Sequence, residues 1–189
     1  MTASVRDITP ADEARWRELW QEYLVFYEND LPAAVTDTTW TRLLDPGEKA
    51  MFGFVAENDD GAVVGFVNCV LHLNTWTEKT ICYLEDLFVD QQARNQGAGK
   101  ALIDAVRKRG HSDGWHRVYW RTGKTNTRAR GLYDTLAEGT DWVTYEISLL
   151  TYPCAILRKP KTRKTLFSAN RRGSGSRRQP RRAITKPAS

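Results

Sequence analysis

The first third of the chain places apolar residues with the period of a helix. Between residues 16 and 27, large apolar side chains recur at spacings of three and four, which puts them on one helical face. They are Trp16, Leu19, Trp20, Tyr23, Leu24 and Tyr27. Thr9 and Pro10 precede this stretch, and a capping hydroxyl followed by proline is typical of a helix start. The pattern predicts a long amphipathic helix and then a shorter one over residues 36–44, ending before Pro46.

From Met51 the pattern changes to that of strands. Two runs rich in β-branched and aromatic residues, 52–56 and 63–73, flank a polar turn at residues 58–61 and predict an antiparallel hairpin. Another apolar run covers residues 80–89. The later elements are predicted as a helix over 101–108, a strand over 116–122, a helix over 127–136 and a strand over 142–150. This order predicts a mixed α/β or α+β domain.

The net charge of +5 conceals two segments of opposite sign. Of the 28 lysines and arginines, 12 lie in residues 151–189, which hold no Asp or Glu, and the other 16 share residues 1–150 with all 23 acidic side chains. The formal charge is therefore −7 for residues 1–150 and +12 for residues 151–189. The first segment has the length of one domain. The second is rich in Gly, Ser, Pro and like charges, so we expect a disordered basic tail.

This charge asymmetry indicates separate partners for the two segments. An acidic domain attracts cations, whereas a basic tail attracts nucleic acid without sequence specificity, an anionic membrane or the domain itself. A tail without function is the alternative. The chain has no apolar run of about 18 residues, and its N-terminus is polar and acidic, unlike a signal sequence. We therefore expect a cytoplasmic protein that does not enter the membrane.

The cysteines and histidines do not form a metal or redox pattern. Cys69, Cys82 and Cys154 are odd in number and lack the spacing of a zinc site or a redox pair. Cys69 and Cys82 lie in strand-like runs, and we expect them to be small core residues rather than nucleophiles. None of the three histidines has the spacing of a metal ligand. No metal is expected.

The stretch over residues 94–100 is the strongest candidate for a binding site. It carries two glycines, follows the strand over residues 80–89 and opens the next helix. In such a loop, successive backbone N–H groups surround a phosphate, and the helix dipole adds a favourable field. The glycine spacing differs from that of nucleoside triphosphate loops and of dinucleotide folds. The loop therefore predicts another kind of phosphate site, with a tight turn that binds nothing as the alternative.

Two motifs resemble those of the GNAT acetyltransferases. The run Arg94-Asn95-Gln96-Gly97-Ala98-Gly99 resembles the Arg/Gln-x-x-Gly-x-Gly/Ala signature of that family. Asn126, Ala129 and Tyr133 resemble its second hallmark. Residues 83–89 are similar to a strand of the diamine acetyltransferases, and the chain from His72 onward is similar to the yeast acetyltransferases linked to histones, polyamines and D-amino acids. The resemblance covers roughly residues 4–149.

The resemblance implies a fold and a reaction. The fold is the GNAT fold over residues 1–150, an α/β (α+β) domain with a mixed, twisted central sheet, helices on both faces and a splay at the cofactor site. The activity implied is that of a transferase, an acyltransferase that moves the acetyl group of acetyl-CoA to a primary amine in a ternary complex, without a metal or a covalent enzyme intermediate. Members of the family are often dimers, so a homodimer is possible here.

The same resemblance implies the residues that hold acetyl-CoA, the co-substrate. The pyrophosphate of coenzyme A would be bound by the backbone amides of Arg94, Asn95, Gln96, Gly97, Ala98 and Gly99, with Lys100 beside them. The strand edge at Leu87, Phe88 and Val89 would pair with the pantetheine arm and polarise the thioester carbonyl. Asn126 would contact the cofactor at the splay. Many relatives have glycine in place of Asn95, but asparagine tolerates left-handed backbone angles.

The chemistry requires a base and an acid. An alkyl amine with a pKa near ~10 is only about one part in a thousand neutral at pH 7, and only the neutral form attacks a thioester. By resemblance to the diamine enzymes, Glu85 is the candidate base, with a role as substrate ligand only as the alternative. Asp86 would bind the cationic acceptor. Tyr133 would protonate the leaving thiolate, with a core tyrosine as the alternative.

The acidic domain favours a cationic acceptor. We expect a polyamine first, then a lysine side chain or basic peptide, or an aminoglycoside. Amino acids, including D-amino acids, are the alternative, because the yeast enzymes include them. A non-catalytic acyl-CoA sensor, or a nucleic-acid tether that uses the basic tail, is the hypothesis from another class. The intact loop and Tyr133 argue against a protein without activity.

Overall fold

The computed structural model describes residues 3–147 and residue 149, and the predicted basic tail over residues 151–189 lies outside them. The described elements are β1 Ser4–Asp7, α1 Glu13–Phe26, α2 Ala33–Leu44, β2 Met51–Glu57, β3 Val63–Asn74, β4 Thr77–Val89, α3 Ala98–Ser112, β5 Arg117–Tyr119 and α4 Thr127–Tyr133. Among the described helices, none has the length and apolar character that crossing a bilayer requires.

The strands form one mixed sheet in the order β1-β2-β3-β4-β5. β1, β2, β3 and β4 pair with one another in antiparallel fashion, and β5 pairs with β4 in parallel. This pairing confirms the predicted mixed sheet. It joins only Ile81–Tyr83 of β4 to β5, so the β5-facing edge of β4 from Leu84 to Val89 has no strand partner within the described residues. β4 and β5 no longer pair beyond Tyr83 and Tyr119, as the predicted splay requires.

A β-bulge in β4 changes which side chains share a face. Cys69 of β3 pairs with Leu84, but the preceding residue, Asn68, pairs with Asp86, which leaves Glu85 as the extra residue. Side chains along a regular strand alternate between faces, and a bulge interrupts that alternation. Leu84 packs in the core on the α3 side. Glu85 and Asp86 therefore both project from the opposite face, towards α1.

Helices cover both faces of the sheet, as predicted. Against one face, α1 and α2 pack large aromatic residues, and Trp16 stacks on Trp20 with ring centroids 5.4 Å apart. Trp16 and Trp20 of α1 and Trp40 of α2 are all buried. Against the other face, α3 packs on a cluster that includes Cys69 and Cys82. Both cysteines are fully buried, which confirms them as core residues.

Ion pairs fix α1 over the end of β4. Arg15 forms an ion pair with Asp90, the residue after β4, and its Nε donates to the carbonyl of Val63 at 3.1 Å. At the start of the helix, the buried carboxylate of Asp12 accepts hydrogen bonds from Arg6 and from Thr9. The bond from Arg6 is the main reason why the pKa of Asp12 falls to about 2. These contacts hold the first turn of α1 beside the end of β4.

Several predicted elements need correction. The strand predicted over residues 116–122 covers only Arg117–Tyr119, and the helix predicted over residues 127–136 ends at Tyr133. The helix predicted from residue 36 begins at Ala33, directly after Pro32, and the helix predicted from residue 101 begins at Ala98. The strand predicted over residues 142–150 is wrong for the part described, because residues 141–147 form no strand. An alternating apolar run becomes a strand only where a neighbouring strand pairs with it and an apolar surface covers it. The side chains of Trp142 and Ile147 are exposed instead.

One strand was not predicted from the sequence. β1 is only four residues long and antiparallel to β2, with Val5 opposite Ala56. Its residues, Ser, Val, Arg and Asp, carry a single apolar side chain. Such a short and polar segment lacks the alternation that identifies a strand. It is held in place by Arg6, which pairs with Glu57 on the neighbouring strand.

Candidate active site

A cavity of about 290 Å³ lies where the end of β4, the last turn of α1, the start of α3 and α4 meet. Most of the residues predicted to form the site line it. These are Leu87, Phe88, Val89, Arg94, Asn95, Gly97, Ala98, Gly99, Lys100, Asn126 and Tyr133. Gln96 is exposed outside the wall, and Glu85 and Asp86 lie beyond it on the α1 side. The structure thus brings three separate stretches of the sequence around one space.

The loop before α3 has the backbone geometry of an anion site. Gly97 caps the helix in a left-handed conformation with φ of 88°, and a Cβ atom placed there would have no neighbour within 4 Å. Asn95 is also left-handed, with φ of 65°, which confirms that asparagine can replace glycine at this position. The first N–H groups of α3 are directed outward from the helix start, and the helix dipole favours negative charge there.

Three basic side chains surround this helix start. Arg94 donates its Nε to the carbonyl of Val89 at 3.0 Å, and its guanidinium lies 5.5 Å from the centre of the Phe88 ring. Lys100 forms an ion pair with Asp104, one turn further along α3. Arg128 donates to the side-chain oxygen of Asn95 at 3.0 Å. This end of the cavity is therefore positive.

Arg128 was not predicted as a site residue. It lies two residues after Asn126, at the start of α4, and it reaches the loop over 33 residues of sequence. The only sequence feature that pointed to Arg128 was its position between Asn126 and Ala129 of the second motif. An arginine on a short polar helix does not by itself indicate a ligand, because most such side chains are solvated.

The amide of Asn126 is engaged within the chain. Its oxygen accepts a hydrogen bond from the backbone N–H of Ala129 at 3.3 Å, so it caps α4. Its nitrogen donates to the hydroxyl of Thr122 at 3.2 Å. Asn126 lines the cavity, but both polar groups of its side chain hold the start of α4 in place. Through α4 they set the position of Tyr133.

Tyr133 is the last residue of α4 and is partly buried in the cavity wall. Its ring packs edge-to-face on Trp120 with centroids 5.4 Å apart. Burial raises the pKa of its hydroxyl to about 12. The phenol is therefore protonated at neutral pH and can donate a proton into the cavity.

Asp86 is held by hydrogen bonds on the α1 side of the bulge. The amide nitrogen of Asn68 donates to it at 3.1 Å, and the hydroxyl of Tyr23 donates to it as well. Burial raises the pKa of Asp86 to about 6, although both donors oppose that change. Without these donors the carboxylate would be still harder to ionise.

Glu85 is the neighbouring carboxylate at the bulge. Desolvation raises the pKa of Glu85, the charge of Asp86 raises it further, and Arg121 lowers it. The side chain is exposed on the strand surface. Two adjacent carboxylates on one face repel each other when both are charged. A bound cation relieves this repulsion, so the pair forms a site for a cation.

Aromatic residues of α1 connect the carboxylates to the cavity. Tyr23, Phe26 and Tyr27 line the wall, and the ring of Tyr23 packs edge-to-face on Tyr27 with centroids 4.9 Å apart. Burial, with the nearby charge of Asp86, raises the pKa of both tyrosines. Tyr23 and Tyr27 were predicted only as part of an apolar helix face, and Phe26 was not on that predicted face. The same apolar face of the helix packs in the core and lines the cavity, so residue spacing could not distinguish core residues from cavity residues.

Comparison with known proteins identifies relatives with this architecture. The chain matches the acetyltransferase (GNAT) family over residues 13–137. It is 37% identical over 142 residues to the D-amino-acid N-acetyltransferase HPA3 of Saccharomyces cerevisiae, covering 75% of this chain and 88% of that protein. Among solved structures, it resembles a ribosomal-protein-alanine N-acetyltransferase from Brucella melitensis biovar Abortus 2308, with 22% identity, a TM-score of 0.64, and coverage of 78% of this chain and 99% of that one.

A second solved structure is similar in fold. It is AAC(6')-Iy in complex with a bisubstrate analogue, with 22% identity, a TM-score of 0.66, and coverage of 78% of this chain and 99% of that chain. At this level of identity, the two structures support the fold alone. The family match spans the splayed sheet, the glycine loop and α4, and the yeast relative covers three quarters of the chain. The chain therefore belongs to the GNAT family and is an N-acetyltransferase.

Proposed function

We propose that the protein transfers the acetyl group of acetyl-CoA to a primary amine that binds as a cation beside Glu85 and Asp86. The observation that carries this proposal is the opposite charge of the two ends of the site. The loop and α3 present N–H groups and basic side chains, whereas the bulge of β4 presents two carboxylates. Between them lies the edge of β4 that has no strand partner within the described residues.

The residues at the positive end fit coenzyme A. A pyrophosphate needs several N–H donors and space close to the backbone, and Gly97 has open space where a side chain would stand. Arg94, Lys100 and Arg128 would add positive charge around it. The amide-bearing edge over residues 87–89 would bind the pantetheine arm, because its backbone groups are available for pairing.

When bound, acetyl-CoA supplies an activated acetyl thioester. An N–H group at the edge over residues 87–89 would donate to the carbonyl oxygen and stabilise negative charge on it. Glu85 would accept the proton of the incoming amine, directly or through a water molecule. Tyr133 would donate its proton to the departing sulfur, since its raised pKa keeps the hydroxyl protonated at neutral pH. The bound ammonium loses two protons on acetylation: one would pass to Glu85 and then to solvent, and the other would replace the proton that Tyr133 gives to the sulfur.

The acceptor class has two candidates. The paired carboxylates and the net charge of −7 over residues 1–150 favour a cationic acceptor such as a polyamine, a lysine side chain, a basic peptide or an aminoglycoside. The yeast relative, which is named a D-amino-acid N-acetyltransferase, favours an amino acid. Both candidates bring a protonated amine to the same carboxylates.

Release of thiol from acetyl-CoA tests the proposal, with polyamines, lysine peptides, aminoglycosides and both enantiomers of several amino acids as acceptors. Binding of coenzyme A is measured in parallel by calorimetry. We expect saturable binding of coenzyme A and acetyl transfer to at least one acceptor. Binding without transfer to any of these amines would contradict the acceptor proposal, and absence of binding would contradict the cofactor assignment.

The cytoplasmic location, the homodimer and the nucleic-acid contact through residues 151–189 remain proposals. For the last of these, salt-dependent DNA binding is the test. We expect binding to weaken steeply as the salt concentration rises, because twelve basic residues would release counterions. Removal of residues 151–189 should abolish DNA binding and leave acetyl transfer unchanged.

A further inference from the structure

Arg121 lies across the splay from Glu85. The parallel pairing of β4 and β5 ends with Tyr83 opposite Tyr119, and Glu85 and Arg121 follow each of these residues by two positions. Side chains two positions apart along a strand share a face. Arg121 follows the end of β5, and its contact with the Tyr83 ring places it on the face from which Tyr83 and Glu85 project, across the gap from β4.

A platform of aromatic residues holds the guanidinium. Arg121 donates its Nε to the hydroxyl of Tyr83 at 3.1 Å and lies 5.2 Å from the centre of that ring. The Tyr83 ring packs against Tyr119 with centroids 4.9 Å apart. The hydroxyl of Tyr119 is hydrogen-bonded to Nε2 of His72 at 3.0 Å. The side chain of Arg121 is thus positioned by its packing on the Tyr83 ring and by one hydrogen bond, which uses only its Nε.

The two terminal nitrogens of Arg121 have no hydrogen-bond or ion-pair partner among the residues that the structure describes. Arg121 and Glu85 influence each other electrostatically, yet they do not form an ion pair within residues 3–147. The paired terminal nitrogens of a guanidinium match the two oxygens of a carboxylate. The splay therefore presents two carboxylates, which attract a cation, on the β4 side and a planar guanidinium, which binds an anion, on the β5 side.

This arrangement discriminates between the two acceptor classes. A polyamine would bring further positive charge towards a guanidinium that is always ionised, and that repulsion opposes binding. An α-amino acid carries a protonated amine and a carboxylate on the same carbon atom, so it satisfies both sides of the gap. We infer that Arg121 binds the carboxylate of an amino-acid acceptor whose amine lies at Glu85 and Asp86, which rests on the proposed acetyl transfer.

The test compares amino acids with their own amides. An amide keeps the amine and the side chain but has no carboxylate. For the native protein, we expect kcat/KM for the acid to exceed that for the amide by about 10- to 100-fold, since a hydrogen-bonded charge pair contributes that much. Arg121→Gln should lower kcat/KM for the acid by that factor relative to the amide, because any change in the pKa of Glu85 affects both substrates equally. Arg121→Lys keeps the charge but not the paired nitrogens of the guanidinium. Its preference for the acid should lie between that of the native protein and that of Arg121→Gln.

Arg117→Gln is the matched control, because it removes the same charge from β5, directly before the segment that carries Arg121. Arg117 lies 5.4 Å from the centre of the Tyr119 ring, away from Glu85. This variant should keep the preference for the acid. If Arg121→Gln instead slows acids and amides equally, Arg121 acts only by lowering the pKa of Glu85, and the inference is wrong.

Equilibrium binding provides a readout that does not depend on turnover. The acid and the amide are titrated by calorimetry into the full chain in the presence of coenzyme A. Tighter binding of the acid that is lost in Arg121→Gln supports the carboxylate site, even if no transfer occurs. Transfer that fails under these conditions would contradict the proposed function alone. Equal affinity for acid and amide would overturn the inference, whatever the acetyl transfer assay shows.

Discussion

The two ends of the active site are built in different ways. The coenzyme end is formed mainly by residues 94–100, a contiguous stretch whose backbone supplies the N–H groups. The acceptor end combines Tyr23 of α1, Asn68 of β3 and the bulge at Glu85 and Asp86 in β4. Its chemistry depends on contacts between residues far apart in the sequence.

This difference determines how each end should respond to change. At the coenzyme end, a glycine matters because of the space that it leaves open, so substitution should act on binding alone. At the acceptor end, burial raises the pKa values of both carboxylates, and the charge of Asp86 raises that of Glu85 further. Substitution there should act on rate, on pH dependence and on the free energy of unfolding together.

The largest effect is expected at Gly97. Gly97→Glu places a carboxylate in the open space at the helix start and forces a side chain onto a residue with φ of 88°. Repulsion between this carboxylate and a bound pyrophosphate should weaken coenzyme A binding by more than about 100-fold. Calorimetric titration with coenzyme A measures the change.

Gly114→Glu is the control for Gly97→Glu. Gly114 also has a positive φ, 69°, and open space around its Cβ position, but it follows the other end of α3. The backbone strain should be similar in the two variants, whereas coenzyme A affinity should change only in Gly97→Glu. Equal affinity of the two variants would contradict the assignment of this loop to the pyrophosphate.

Removing the hydroxyl of Tyr133 should reduce turnover. Tyr133→Phe keeps the ring and its packing on Trp120 but deletes the proton donor, so kcat should fall by about 100-fold. Affinity for coenzyme A should stay close to that of the native protein. The measurement is kcat at saturating concentrations of both substrates. An unchanged kcat would mean that Tyr133 serves only as part of the wall.

Glu85→Gln should have a smaller effect on rate and a visible effect on pH dependence. The amine would then have to lose its proton to solvent, so the rate should fall by about 10-fold at neutral pH and keep rising towards the pKa of the amine. A pH profile of kcat/KM measures this. Glu78→Gln is the control, because Glu78 is exposed on the same strand. Identical profiles for the two variants would indicate that solvent deprotonates the amine in the native protein.

The sequence predicts the coenzyme end well because its parts are local. The strand, the loop over residues 94–100 and the following helix are adjacent, and α1 and the β2–β3 hairpin were predicted from their periodicity. The fold and the family are confirmed by the mixed sheet and by the family match. The individual roles of Glu85, Asp86 and Tyr133 remain predictions, which the variants above are designed to test.

The acceptor end could not be predicted to the same depth. The bulge that brings Glu85 and Asp86 to one face exists only in the register between β3 and β4. The contact of Arg121 with Tyr83 spans 38 residues and depends on where the β4–β5 pairing ends. Neither periodicity nor motif spacing contains this information. The strand expected over residues 142–150 is wrong over the described residues 142–147 for the same reason, since an apolar pattern does not show whether a partner strand is available.

The smallest effect is expected on stability, at Asp86. Its pKa is raised from 3.8 to about 6, mainly by burial, so the folded protein holds this proton more tightly than the unfolded chain does. Ionisation of Asp86 therefore destabilises the fold, and the destabilisation develops as the pH rises from 3.8 to about 6. Asp86→Asn removes the charge. Because the side chain is partly exposed and hydrogen-bonded, we expect its free energy of unfolding to rise by about 1 kcal/mol at neutral pH.

The pH dependence of this gain separates it from a change in packing. Below pH 3.8 the carboxyl is protonated in both the folded and the unfolded chain, so native protein and Asp86→Asn should be equally stable there. Urea unfolding at several pH values measures the difference. A gain in stability that grows between pH 3.8 and about pH 6 and is constant above, together with a loss of acetyl transfer, would mean that the acceptor end holds its charge at the expense of the fold. A constant difference at every pH would show that burial of this carboxylate does not limit stability, and the contrast between the two ends would then concern binding alone.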